Sequence, residues 1–148
     1  METDRPLYIL DTNILLLIVR NGNIAEYIER RYKLRSSPFR PLISAVSLGE
    51  LYALADRNKW GEQKKKVLML LEVELVVLDI NRPDILKAFA KARNVSRANG
   101  KSLSDNDLWI AATASVAGAT LLTTDKDFDA LYPEHIEREW IDPNVGKP

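Results

Sequence analysis

Short apolar runs alternate with longer amphipathic stretches along this chain. Leu7 to Leu10 is apolar, stops at Asp11, and gives way to a second run from Ile14 to Val19. A brief, mostly apolar segment of the first kind reads as a strand buried on both faces, as in a parallel sheet. Thr12 and Asn13 are residue types that cap a helix N-terminus, so a helix is expected from Ile14 to Val19, closed by Asn21-Gly22-Asn23. Ile24, Tyr27 and Ile28, with charges between them, predict an amphipathic helix up to Tyr32.

The pattern then repeats. Arg35 to Pro41 is a polar loop, and Leu42 to Val46 reads as a second strand. Ser47-Leu-Gly-Glu50 has the form of a capping box ahead of the helical run Leu51 to Ala55. A break at Asn58 to Gly61 precedes a helix from Glu62 to Leu71, and Val73 to Ile80 reads as a third strand. Pro83 opens a helix that runs to about Ala98. After the loop Asn99 to Ser102 comes an acidic cluster, Ser104-Asp105-Asn106-Asp107, and then Leu108 to Ala117. That run is apolar almost all round, the mark of a buried central helix. Gly118 ends it. Ala119 to Leu122 forms a fourth strand that stops at Thr123-Thr124-Asp125-Lys126-Asp127, and Ile136 to Ile141 forms a last one. Alternating strands and helices imply a mostly parallel sheet flanked by helices, an α/β, Rossmann-like architecture. The 148 residues are expected to form a single domain, with its core over about 7–141 and a tail at 142–148.

In such sheets ligands bind at the carboxyl ends of the strands. Asp11, Glu50 and Asp125 fall just past strand ends or in the following first turn, and Asp107 opens the central helix. Each has a structural explanation of its own, as a cap or a turn. Taken together they would repel one another, and a bound divalent cation resolves that conflict. All-oxygen ligands select Mg²⁺ or Mn²⁺. A metal so held can neutralise a phosphodiester and activate water for in-line attack.

Composition narrows the chemistry further. There is no cysteine, and His135 is the sole histidine, so thiolate metal sites, Cys–His nucleophiles and His-rich zinc sites are excluded. Lys plus Arg equals Asp plus Glu at 21 each, which argues against nucleic-acid binding by bulk charge but not against a local basic groove. The charged start and the shortness of the Ile14–Val19 run predict a cytoplasmic protein with no membrane contact.

Asp11-Thr-Asn13, Glu50 in Ser-x-x-Glu-Leu, Asn106-Asp107-Leu-Trp-Ile-Ala-Ala-Thr-Ala and Leu-Leu-Thr123-Thr-Asp125-Lys-Asp127-Phe resemble the four signature blocks of PIN-domain ribonucleases. The likeness is greatest to VapC toxins of prokaryotic toxin–antitoxin pairs and spans about Leu7 to Ile141. It implies a Mg²⁺- or Mn²⁺-dependent endoribonuclease whose catalytic set is Asp11, Glu50, Asp107 and Asp125. Asp11, Asp107 and Asp125 are the implied metal ligands. Asp127 stands in place of, or beside, Asp125, and Asn13, Thr123 and Asn106 are supporting positions. The resemblance further implies a homodimer, a VapB-type antitoxin and an RNA substrate, whether tRNA, rRNA or mRNA. Lys101 and Lys126 are candidate RNA contacts, with Arg20, Arg31 and Arg57 as alternatives. Leu16, Leu17, Tyr52 and Trp60 are candidates for an antitoxin groove.

Three other readings compete. A receiver-like signalling domain needs paired acids after the first strand, where this chain has Asp-Thr-Asn. A haloacid-dehalogenase phosphatase needs Asp-x-Asp, which Asn13 breaks. A catalytically silent PIN-like module that binds RNA or protein is opposed by the presence of all four acids.

Overall fold

The computed structural model describes residues 6–100 and 103–145. Its elements in order are β1 (Tyr8–Leu10), α1 (Thr12–Arg20), α2 (Asn23–Tyr32), β2 (Leu42–Ser44), α3 (Ala45–Arg57), α4 (Glu62–Glu74), β3 (Val76–Leu78), α5 (Pro83–Ala98), α6 (Asp105–Ala117), β4 (Thr120–Thr123), a 3₁₀ turn (Lys126–Ala130) and β5 (Glu137–Trp140). The strands form one sheet in the order β3-β2-β1-β4-β5, parallel throughout. β1 lies at its centre, where the chain's direction of travel across the sheet reverses. That reversal opens a crevice beyond the ends of β1 and β4.

Two apolar clusters cover the sheet. One gathers Leu10, Ile14, Leu15, Ile43, Leu51 and Leu122 with neighbours from α1–α4. The other gathers Ile9, Leu108, Ile110, Leu121 and Phe128 with neighbours from α5 and α6. Successive residues of β1 and β4 divide between the two, as side chains alternate across a strand. Helix α6 is buried along most of its length, at Leu108 and Ile110 to Ala114, as its sequence predicts. Gly118 ends it in the left-handed conformation that glycine adopts without strain (φ 63°). The Ala119 N–H donates to the Ala114 carbonyl, and the Thr120 N–H to that of Leu7. These bonds place the C-terminus of α6 where β1 enters the sheet, and so send its acidic N-terminus to the far edge, where β1 and β4 leave.

Three boundaries differ from the sequence expectation. β2 ends at Ser44, not Val46, because the Ser44 Oγ accepts from the Val46 N–H at 3.1 Å and starts α3 there. The Ser47–Glu50 capping box therefore does not form. Ser47 lies inside the helix, fully buried, with its Oγ unpartnered among the described residues. Helix α4 runs on to Glu74, so β3 is only Val76–Leu78. Leu68 and Leu71 are buried at helical spacing and Leu75 packs on the same cluster, which carries the helix through β-branched Val73 and leaves that side chain 72% exposed. At the start of α1, Asp11 is the cap in place of Thr12 or Asn13, its Oδ1 accepting from the Thr12 N–H at 2.8 Å.

The two serines make opposite predictions. Ser44→Ala should lower unfolding stability by about 1 kcal/mol through loss of the cap. Ser47→Ala removes a buried hydroxyl with no partner and should leave stability unchanged or raise it. Urea denaturation of both variants checks this; a larger loss at Ser47 than at Ser44 would restore the capping box.

Candidate active site

The site forms from the ends of β1 and β4 and the first turns of α1, α3 and α6. Leu10 and Leu122 are register partners, and the Asp11 N–H donates to the Leu122 carbonyl at 3.0 Å. Asp11 and Thr123 therefore leave the sheet side by side. The Thr123 hydroxyl donates to Asp11 Oδ2 at 2.7 Å and accepts from the Asp125 N–H at 2.9 Å. Thr123 is fully buried, and Asp11 is 3% exposed. One threonine thus fixes the first acid directly and the backbone of the last.

On the other side of Asp11, the Thr12 hydroxyl donates to Glu50 Oε1 at 2.6 Å. Thr12 is buried. Its N–H holds Asp11 while its hydroxyl holds Glu50, two acids 39 positions apart in the chain. Sequence reading assigned Thr12 only to helix capping and missed this role. An apolar run broken by Asp-Thr marks the place but not the partner.

Asp107 sits in the first turn of α6, where its N–H donates to the Ser104 Oγ at 3.1 Å. The Ser-x-x-Asp cap thus exists together with the site and does not replace it. Asp125 caps the 3₁₀ turn by accepting from the Asp127 N–H at 2.8 Å.

Electrostatics bind these acids into one set. Burial pushes Asp11 from its ordinary 3.8 up to about 7, and the nearby charges of Asp107 and Asp125 push the same way, while the Thr123 and Thr12 hydrogen bonds oppose them. Burial also raises Asp107, to about 6, and Asp125, Glu50 and Asp127 add to the rise against the Ser104 bond. Residues from four separate parts of the chain therefore feel one another's charge. Asp127 is exposed, more so than Asp125.

The remaining candidates separate. Asn13 and Asn106 are exposed, and among the described residues neither side chain hydrogen-bonds to the acids. Lys101 lies outside the described residues. Lys126 is exposed, with its ammonium 4.4 Å from the centroid of the Trp140 ring. Arg20 and Arg57 are exposed at the ends of their helices, and Arg31 lies over the Tyr32 ring. Trp60 is buried in the core at 7% exposure, so it cannot line an exposed groove. Leu16 and Leu17 are partly buried against the same core, and only Tyr52 of that quartet is exposed.

A parallel sheet in this order, with acids gathered where its central strands end, defines the class: the PIN domain model matches residues 8–132, and the chain belongs to that family. Among curated relatives, the chain is 29% identical over 126 residues to Ribonuclease VapC1 of Haemophilus influenzae strain R2866, covering 84% of this chain and 92% of the relative. Among solved structures it is similar to VapBC-1 from nontypeable Haemophilus influenzae, with a TM-score of 0.76, 27% identity, and coverage of 90% of this chain and 97% of that one. The fold also matches VapBC2 from Rickettsia felis, solved bound to a DNA fragment from their promoter, with a TM-score of 0.78, 24% identity, and coverage of 92% and 99%.

The raised acids set a pH dependence for the metal-free protein. Between about pH 4 and pH 7 the folded chain holds more protons at Asp11 and Asp107 than the unfolded chain does, so their contribution to stability falls as pH rises through that window. The melting temperature of metal-free Asp107→Asn should fall less between pH 5 and pH 8 than that of the wild type. Equal slopes would show that Asp107 is not held in its raised state.

Proposed function

We propose that this chain is a divalent-metal-dependent endoribonuclease, the toxin of a type II toxin–antitoxin pair, which hydrolyses RNA phosphodiester bonds. The observation that carries the reading is the gathering of Asp11, Glu50 and Asp125 at one sheet edge through the hydroxyls of Thr12 and Thr123, where burial, reinforced by neighbouring carboxylates, raises Asp11 and Asp107. The names of its relatives, ribonucleases and toxin–antitoxin complexes, support the same reading.

The donor set is all oxygen, which suits Mg²⁺ or Mn²⁺. Among the described residues no three acids close into a ready-made cage. A hard ion of this kind takes part of its shell from water and substrate oxygens, so the acids need not close on it unaided. Asp11, Asp107 and Asp125 would hold it. Asp11 is the fixed point, since both of its oxygens are already hydrogen-bonded and each keeps a further lone pair. When bound, the ion supplies charge neutralisation at the phosphate and a more acidic water. Glu50 has Oε1 committed to Thr12 and Oε2 without a protein partner among the described residues, which leaves Oε2 free to accept the attacking water's proton. Thr123 orients Asp11 and the backbone of Asp125; Asp127, the more exposed acid, faces the same field and is the reserve for Asp125.

Antitoxin docking has a surface available. A groove of about 890 Å³ runs between α2, the loop after it and α4, with Ile18, Ala25, Val73 and Leu75 among its lining and Glu26 and Arg30 beside them. Its mixed apolar and charged lining can take an amphipathic helix, and it is a second candidate surface beside the one that holds exposed Tyr52. The working assembly is proposed to be a cytoplasmic homodimer. Among the described residues no helix is long and apolar enough to cross a membrane.

Three measurements test the reading. Asp107→Asn should remove Mg²⁺-dependent cleavage of RNA while melting cooperatively; retained cleavage removes Asp107 from the site. Glu50→Gln should lower kcat by about 10²-fold or more with little change in stability, because the α3 cap rests on Ser44. EDTA should stop cleavage and Mn²⁺ restore it, whereas binding of RNA without cleavage under any divalent ion would make the chain a silent binding module.

A further inference from the structure

Trp140, the last residue of β5, lies outside the residues matched by the family model and outside every site block of the sequence. Its indole N–H donates to the Thr124 carbonyl at 2.9 Å. Thr124 is flanked by Thr123, which holds Asp11, and by Asp125, which caps the following turn. The same indole carries the Lys126 ammonium 4.4 Å from its ring centroid, within range of a cation–π contact. One side chain therefore grips the acidic turn by its backbone and also holds the lysine that the turn bears.

The state of Lys126 is unusual for its position. It stands between Asp125 and Asp127, yet forms no ion pair among the described residues. Other cations in the neighbouring elements are committed: Arg138 to Asp129 at 2.7 Å and to the Tyr132 ring, and Arg93 to Asp105. An ammonium over an aromatic face keeps N–H donors directed to solvent, since the ring occupies only one side of it. An edge that gathers several carboxylates repels a polyanion. A cation held beside those carboxylates, and not neutralised by them, offsets that repulsion where the strand must approach.

We propose that Lys126, held over Trp140, is a contact for a backbone phosphate of the RNA strand beside the acidic set, and that Trp140 is its positioning residue. The inference rests on the ribonuclease reading above, and its class of ligand is a ribose-phosphate strand contacted by charge, not by base identity. The turn's two attachments separate by substitution. Trp140→Phe keeps a π-face for the ammonium and loses the bond to Thr124; Trp140→Leu loses both.

The test measures anisotropy of a labelled single-stranded oligoribonucleotide from 50 to 200 mM salt, with every variant made on the Asp107→Asn background and its melting recorded. Lys126→Gln should weaken binding several-fold and reduce the log–log salt slope by about 0.7, the single-strand value for one lost phosphate contact. Lys126→Arg should restore the slope. Trp140→Phe should bind like the parent, and Trp140→Leu should weaken binding with intact melting. An unchanged slope in Lys126→Gln, or parental binding in Trp140→Leu, overturns the proposal. Cleavage by the otherwise wild-type chain in Mg²⁺ is measured alongside. If it cleaves while the Lys126→Gln slope is unchanged, only the phosphate contact fails. If it does not cleave while the slope falls, the contact stands and the nuclease reading fails.

Discussion

Burial of carboxylates beside one another, where the fold will not let them apart, is the constraint on which this structure depends. Asp11 is buried at the end of the central strand, within the fields of Asp107 and Asp125, and it is held there by two hydrogen bonds that favour its charged form. Burial and like charge win over those bonds, as its raised pKa shows. Stability alone would be better served by an apolar or amide side chain in its place. Such a tension persists where the surrounding structure over-determines the group, and here it does: Thr123 and Thr12 grip Asp11 from β4 and α1, and Thr12 reaches on to α3.

The site is assembled largely by capping chemistry. Asp11 caps α1, Asp125 caps the 3₁₀ turn, and Ser104 caps α6 through the Asp107 N–H. A cap must sit where a strand has stopped and a helix has not yet closed its first hydrogen bonds. In a parallel sheet that is also the edge where ligands bind. Capping and the proposed chemistry are therefore not rival explanations for Asp11, Asp107 or Asp125; the same placement is compatible with both. Glu50 is the exception that separates them. Its helix is capped one turn earlier by Ser44, so its carboxylate is released to Thr12.

This division also explains what the sequence disclosed and what it withheld. The order of elements was legible, and so was the position of Asp11 and Asp125 just past strand ends, because each follows the end of an apolar run. Asp107 opens a helix after a polar loop, and its nearness to them depends on how α6 leads back into β4. The choice between Ser44 and Ser47 as the cap was not legible, since it turns on how far β2 stays in the sheet beside β1 and β3. The start of β3 was hidden for a similar reason. Val73 and Leu75 suit a strand by type and a helix by spacing, and packing of Leu68, Leu71 and Leu75 on the core decides for the helix. The partners of Thr12 and Trp140 left no one-dimensional trace, because Glu50 and Thr124 are brought to them only by the sheet order.

The central claim, that these acids share one electrostatic site whose tension a divalent cation relieves, is tested most directly by proton release. Adding Mg²⁺ to metal-free protein in weak buffer near pH 6.5 displaces protons from Asp11 and Asp107 if the cation and those protons compete for the same oxygens. Saturable release from the wild type, much reduced in Asp107→Asn, is the predicted result. Binding of Mg²⁺ with no proton released, or equal release from both proteins, would contradict the account.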